Sequence, residues 1–164
     1  MKMTLALENV DFTDPKHNKD MLFLLDHYAK DPMGGGKPLT EDVKENLAKA
    51  LSKLPHAFAV IAYADAKPAG LITCFEGFST FACKPLISIH DIIVHASFRG
   101  HSISQKLLEA VEHIAHEKGC CKMTLEVLEG NEVAKNAYIK FGFEGYELDP
   151  QMGKAEFWEK TLKS

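Results

Sequence analysis

The sequence predicts an α/β fold, more closely an α+β arrangement in which helices cover a mixed β-sheet, in the order β-α-α-β-β-β-α-β-α-β-β. Three observations carry this reading. Apolar residues recur at helical spacing up to Leu54, short β-prone runs replace them from Phe58, and a strand, a strongly amphipathic helix and a strand follow one another between Leu86 and Leu128. That last piece requires a right-handed parallel crossover. The 164 residues are 46% hydrophobic and 26% charged, enough for a core without disulfides, and no repeat or linker divides them. One domain over residues 1–164 is expected.

Thr4 to Val10 reads as the first strand, and Pro15 to Lys30 as a helix with Met21, Leu24, Leu25 and Tyr28 on one side, stopped by Asp31-Pro32 and the Gly34-Gly35-Gly36 triplet. Thr40 is placed to cap a second helix, with Glu41 and Asp42 in its first turn, Val43, Leu47, Leu51 and Leu54 on its apolar stripe and Pro55 after it. Phe58 to Tyr63, Ala69 to Phe75 and Leu86 to Val94 are three consecutive antiparallel strands, the last two separated by an irregular Glu76 to Pro85 stretch. Ser102 to Lys118 is a helix with Ile103, Leu107, Val111, Ile114 and Ala115 on one stripe, ended by Gly119. Cys121 to Leu128 returns to strand, Asn131 caps a helix that runs to Phe141 and closes at Gly142, and Phe143 to Leu148 and Glu156 to Leu162 finish as strands.

Composition narrows the function. With 19 Lys and Arg against 23 Asp and Glu, the formal charge is −4, and no basic stripe suits nucleic acid. Cationic small molecules or peptides remain open as partners. The longest apolar run, Ala57 to Ala64, is too short to cross a bilayer, and the N-terminus lacks a signal-peptide core, so a cytoplasmic protein is expected. Cys74, Cys83, Cys120 and Cys121 include no CxxC pair and read as buried, reduced thiols. The eight histidines, among them His90, His95, His101, His113 and His116, form no H-E-x-x-H pair, so no metal is expected.

Ligands of open sheets sit where strand order switches, which directs attention to Val94 to Ser104. There Arg99-Gly100-His101-Ser102-Ile103-Ser104 leads from a strand into a helix start, where turn amides, the helix dipole and a guanidinium converge as an anion site requires. An ordinary helix start with serine capping and a surface arginine is the alternative. About thirty residues on comes Asn131-x-x-Ala134-x-x-x-Tyr138-x-x-Phe141-Gly142-Phe143. Together, R-G-x-x-I-x-x-x-L-L and N-x-x-A-x-x-x-Y-x-x-F-G-F resemble the GCN5-related N-acetyltransferase family, closely over Ile87 to Phe143 and in element order upstream.

The resemblance implies the acyl-CoA N-acyltransferase fold and transfer of an acetyl group from acetyl-CoA to a primary amine without a metal or covalent enzyme intermediate. It implies that backbone amides of Ile92, Ile93 and Val94 hold the pantetheine arm and thioester beside a bulge, that Arg99, Gly100, His101, Ser102, Ile103 and Ser104 form the pyrophosphate loop, and that Asn131 contacts the cofactor arm. Tyr138 takes the position of the acid that protonates the CoA thiolate. Ser102 and Ser104 depart from the glycine and glycine or alanine usual there, so the cofactor must meet an added β-carbon and hydroxyl.

The general base is His90 or Asp91, with a slight preference for His90 because imidazole titrates near neutrality; strict alternation puts the two on opposite faces. The acceptor pocket is expected from Asp31 to Pro38, read as a lid or a plain linker, and from Glu76 to Pro85, with Asp31 and Glu76 available to attract a cation. A small-molecule amine such as a polyamine or amino acid is the expected acceptor. A protein-lysine acetyltransferase and a non-catalytic acyl-CoA-binding or sensing module on the same fold are the alternatives. Phe157-Trp158 reads as core or dimer contact, and terminal strands pairing between copies would make a homodimer.

Overall fold

The computed structural model describes residues 2–164, which divide into two compact units, 2–125 and Glu126–Ser164. In the first, the elements are β1 (Leu5–Asn9), α1 (Pro15–Lys30), α2 (Glu41–Leu51), β2 (Ala57–Ala64), β3 (Lys67–Ser79), β4 (Lys84–Val94), α3 (Ile103–Glu117) and β5 (Met123–Leu125). The five strands lie in sequence order, antiparallel except for the parallel β4–β5 pair that the α3 crossover produces.

Local chemistry sets the helix ends. Asp14 accepts from the Lys16 N–H with Pro15 opening α1, and Asp31 turns to extended backbone before Pro32. The Thr40 hydroxyl accepts from the Val43 N–H at 3.3 Å, as the capping pattern requires. Gly119, at φ +70, ends α3 where a residue with a β-carbon would be strained.

Two helices bury opposite faces of the sheet. Met21 and Leu24 of α1 are fully buried against Ile61, Tyr63, Leu71 and Ile93. Period two then sends Val60 and Ile72 to the other face, where Ile103, Leu107, Leu108 and Val111 of α3 are sealed. Each such Leu or Ile contributes about 1.5–3 kcal/mol relative to exposure. Gly70 permits the contact: a β-carbon there would stand 2.8 Å from Ile103 Cγ2, 3.0 Å from the Ile93 carbonyl oxygen and 3.1 Å from Leu107 Cδ1. The start of α3 is thereby held against the end of β4.

Several expectations are corrected. The Glu76 to Pro85 stretch is not irregular: the β3–β4 ladder continues from Glu76↔Ile87 to Ser79↔Lys84, closed by a turn in which Cys83 adopts φ +51. Gly77 and Pro85 had hidden its alternation. All four cysteines are free, but only Cys74 is buried, while Cys83 and Cys121 are exposed. Strand β5 stops at Leu125 rather than Leu128 because its partner strand departs from the ladder after Ile89.

In the second unit, α4 (Glu132–Phe141) begins as expected with the Asn131 side-chain oxygen accepting from the Ala134 N–H, and ends at Gly142, φ +115. The two closing strands are absent as named elements. A single antiparallel bridge joins Glu147 to Lys154 around a turn at Asp149, and Leu148, Met152 and Trp158 are exposed. A two-residue-wide ribbon with no buried apolar face has too little burial to extend its ladder.

Candidate active site

The site is built on a break in β4. Thr73 pairs with Asp91 and Cys74 with Ile89, so His90 is an extra residue, a β-bulge in the middle of the strand. On its other side β4 pairs with β5 only from Ile87 to Ile89. Beyond the bulge the two strands part. The His95 N–H bonds the Ala69 carbonyl of β3 at 2.8 Å, so alternation directs the amides of Ile93 toward β3 and those of Ile92 and Val94 toward the side where β4 has lost its neighbour. Two main-chain N–H groups thus face an opening lined by a strand end, the arrangement needed to bond an extended polar chain and to polarise a carbonyl.

The bulge also overturns strict alternation at the candidate base. His90 and Asp91 do not point to opposite faces: His90 Nδ1 lies 3.1 Å from Asp91 Oδ2. The same carboxylate accepts from the Thr73 hydroxyl at 2.5 Å. Asp91 is partly buried, whereas the His90 ring is largely exposed and edge-on to Phe75, 5.8 Å between centroids. A carboxylate fixed by Thr73 therefore holds one imidazole nitrogen and leaves the other directed outward, as a general base requires. On the α1 side, burial and then the charges of Asp91 and Asp31 push the Tyr28 phenol up from its ordinary value, and burial above all pushes the Cys74 thiol up. Cys74 is consequently a core residue rather than a nucleophile.

Between β4 and α3, a short 3₁₀ turn, Ala96–Phe98, precedes Arg99. Gly100 adopts φ +84 and Ser102 φ +58, and Ser102 makes no side-chain cap to α3. The first intrahelical amide bond is from Lys106 to the Ser102 carbonyl, 3.2 Å. His101 and Ser102 are exposed, Ser104 is half-buried and Ile103 is sealed in the core, so the helix start presents backbone and small polar groups while its apolar anchor fixes it. Arg99 stays largely exposed with its guanidinium 3.8 Å from Asp31. The serine-capped helix start, the alternative reading, is absent at Ser102; the left-handed backbone is the one that glycine adopts without strain.

The Asp31 to Pro38 stretch is a tied turn. Asp31 accepts from the Met33 N–H at 2.9 Å through its side chain and from the Gly34 and Gly36 N–H groups through its carbonyl. Tyr28 donates to the Met33 carbonyl, and the Leu39 N–H donates to Asp26, whose carboxyl Lys30 holds below the usual range.

In the second unit, Asn131 spends its oxygen on the α4 cap, leaving its amide NH₂ for another partner, and Tyr138 sits edge-on to Phe143 at 6.1 Å. Sequence reasoning missed Thr73, Gly70 and His27. Gly70 had a signal, since a glycine inside an apolar strand marks a close approach; Thr73 joins the site only through register, and His27 only through packing of α1 on the turn after β4, where its ring stacks on His95. Among the described residues no three His, Cys, Asp or Glu side chains group as metal ligands, and no helix is long and apolar enough to cross a membrane.

Comparison with known proteins adds the family. Thialysine N-epsilon-acetyltransferases of Bos taurus and Mus musculus are each 36% identical over 56 residues, 34% of this chain and 33% of theirs, so the chain spans about a third of the length of these curated relatives. An aminoglycoside acetyltransferase from an uncultured soil metagenomic sample superposes with a TM-score of 0.78 at 19% identity, covering 97% of both chains. An aminoglycoside N-acetyltransferase in complex with CoA superposes with a TM-score of 0.74 at 20% identity, over 99% of this chain and 98% of that one. These likenesses establish the acyl-CoA N-acyltransferase fold. The model of the acetyltransferase (GNAT) family matches residues 21–143, three quarters of the sequence, and the chain belongs to that family.

Proposed function

We propose that this chain is an acetyl-CoA-dependent N-acetyltransferase acting on a primary amine of a small cationic molecule, by direct attack within a ternary complex. The observation that carries the reading is the β4 bulge: it puts an Asp91-held imidazole two and four residues from amides that face the opening between β4 and β5. These elements fit acetyl-CoA. Ile92 and Val94 amides would bond its pantetheine arm, and Arg99, Gly100 and the amides of Ser102 to Ser104 its diphosphate, with nothing within 4 Å of where a Gly100 β-carbon would stand. Bound there, acetyl-CoA supplies an activated acetyl group.

His90 takes the proton from the acceptor ammonium, and Asp91 steadies the imidazolium that forms. Main-chain N–H groups at the end of β4 stabilise charge developing on the carbonyl oxygen. By the family resemblance, the Tyr138 hydroxyl donates a proton to the departing thiolate and Asn131 contacts the cofactor arm. Asp91 and Asp31, both facing Tyr28, favour a cationic acceptor, and the named activities of the relatives, on thialysine and aminoglycosides, support a small amine over a protein lysine.

Calorimetric titration with acetyl-CoA and CoA, followed by thiol release across polyamines, amino acids, aminoglycosides and lysine peptides, tests the proposal. Saturable binding with release that depends on a small amine is expected. Binding without release across the panel would instead favour an acyl-CoA sensor, and release with lysine peptides alone a protein acetyltransferase.

A further inference from the structure

Two imidazoles outside the proposed chemistry meet at the turn that leads to Arg99. His95 follows β4 and caps the short turn Ala96–Phe98, where its Nδ1 accepts from the Ser97 N–H at 3.2 Å. His27, on α1, stacks on it with ring centroids 4.1 Å apart, and its Nε2 accepts from the Ala96 N–H at 3.3 Å. Phe23 also stacks with His95, 5.4 Å between centroids, and Phe98 lies tilted at 6.1 Å. Two successive amides of the turn are therefore held by ring nitrogens, one from the turn itself and one from a helix distant in sequence.

An imidazole accepts a hydrogen bond only when neutral, because the imidazolium presents two donors and no lone pair. We propose that His27 and His95 are positioning residues for the cofactor turn, which holds its binding shape only while both rings are neutral, so that acid releases CoA by freeing the Ala96 and Ser97 amides. The inference rests on the reading of Arg99 to Ser104 as the diphosphate loop.

The surroundings all press the same way at His95. From α1 it faces His27, from the turn it faces Arg99, and β3 meets it with the Ala69 carbonyl, which bonds its backbone N–H. Asp31, four residues beyond His27, faces Arg99 at 3.8 Å. Burial first, then His27 and Arg99, hold the His95 ring below the ordinary imidazole range. A ring protonated less readily folded than unfolded stabilises the turn fully above about pH 6.5, and that stabilisation is lost as pH falls below it.

Glutamine at 27 and asparagine at 95 offer a carbonyl oxygen near the same acceptor positions and do not titrate. The test is CoA affinity by calorimetry at about pH 7.5 and about pH 5, the lower value well beneath the ordinary imidazole range because the folded His95 ring resists protonation, with amide hydrogen exchange at Ala96 and Ser97 in the protein alone. Wild type should bind about tenfold more weakly in acid. The double variant, H27Q with H95N, should bind within about threefold of wild type at the higher pH, because both amides keep an oxygen acceptor. In acid it should lose only the part due to the 3′-phosphate of CoA, whose own titration near pH 6 both proteins share. His95→Phe, which keeps the stack and removes the acceptor, should weaken binding about three- to tenfold at the higher pH, the worth of one amide hydrogen bond. In wild type alone, exchange at the two amides should gain an extra acid-dependent opening. Equal pH dependence of wild type and double variant in both measurements would overturn the proposal. If CoA bound neither protein at any pH, the diphosphate reading would fail, and equal exchange would then reject the imidazole latch while a wild-type-specific step would uphold it.

Discussion

Gly70→Ala tests how α3 is set against the sheet. The added β-carbon would stand 2.8 Å from Ile103 Cγ2, 3.0 Å from the Ile93 carbonyl oxygen and 3.1 Å from Leu107 Cδ1. Ile103 and Leu107 are sealed in the core, the Ile103 methyl is on a stiff β-branched side chain, and the Ile93 oxygen is backbone, so none can step aside cheaply. With none of the three free to move, the cost lies in the upper part of the overpacking range, about 2–3 kcal/mol, offset by about 0.4–1 kcal/mol from the stiffer unfolded chain. At roughly 2–4 °C per kcal/mol for a chain of this size, Tm should fall by about 2–10 °C. Because Ile103 opens α3, its displacement shifts the helix-start amides relative to Ile92 and Val94, and CoA should bind roughly tenfold more weakly, within the roughly 100-fold that a 1 Å misplacement can cost. Gly77→Ala is the control: its β-carbon would meet only the Leu86 Cδ1 at 3.3 Å and Cγ at 3.7 Å, and it should change neither quantity appreciably. Thermal melts and calorimetry on both variants decide; an unchanged Tm and CoA affinity in Gly70→Ala would refute the seating of α3 described above.

Asp91→Asn should lower turnover by about 100-fold with little change in acetyl-CoA KM, and the acid limb of the pH–rate profile should shift, since general-base contributions are about 10²–10⁴; His90→Gln should lose that limb altogether, and an intact limb would remove His90 as the base. Tyr138→Phe should reduce turnover far more than acetyl-CoA affinity, measured by steady-state kinetics and calorimetry; unchanged turnover with every competent amine would remove the tyrosine as the acid. Ser102→Gly should relieve a left-handed serine at φ +58, raise Tm by up to about 3 °C and preserve or tighten CoA binding; a large loss of affinity would mean that the hydroxyl is itself a phosphate ligand.

The legible parts of the fold are those encoded by neighbouring residues. Asp14-Pro15, Thr40, Gly119, Asn131 and Gly142 fix helix ends through caps or left-handed backbone that need nothing from the rest of the chain, and those ends stand where the pattern puts them. The features that shape the site are set by pairing across the sheet. Nothing local at Ile89-His90-Asp91 announces that Cys74 and Thr73 will pair around His90, and without that bulge Asp91 and His90 would not touch. The His27–His95 stack joins α1 to the end of β4, and no periodicity reports it. The closing strands fail for the converse reason: Phe143 to Leu148 and Glu156 to Leu162 have strand-like composition, but the structure gives the first a single bridge, from Glu147 to Lys154, gives the second none, and leaves Tyr146, Leu148 and Trp158 exposed.

The most direct test is to supply acetyl-CoA labelled in its acetyl group together with one amine at a time and to follow the label by mass spectrometry while counting the CoA thiol released. The account predicts a labelled N-acetyl amine in one-to-one ratio with thiol, abolished when the amine is omitted. Thiol appearing without labelled amine, or an acetylated protein side chain in its place, would contradict direct transfer to a small amine.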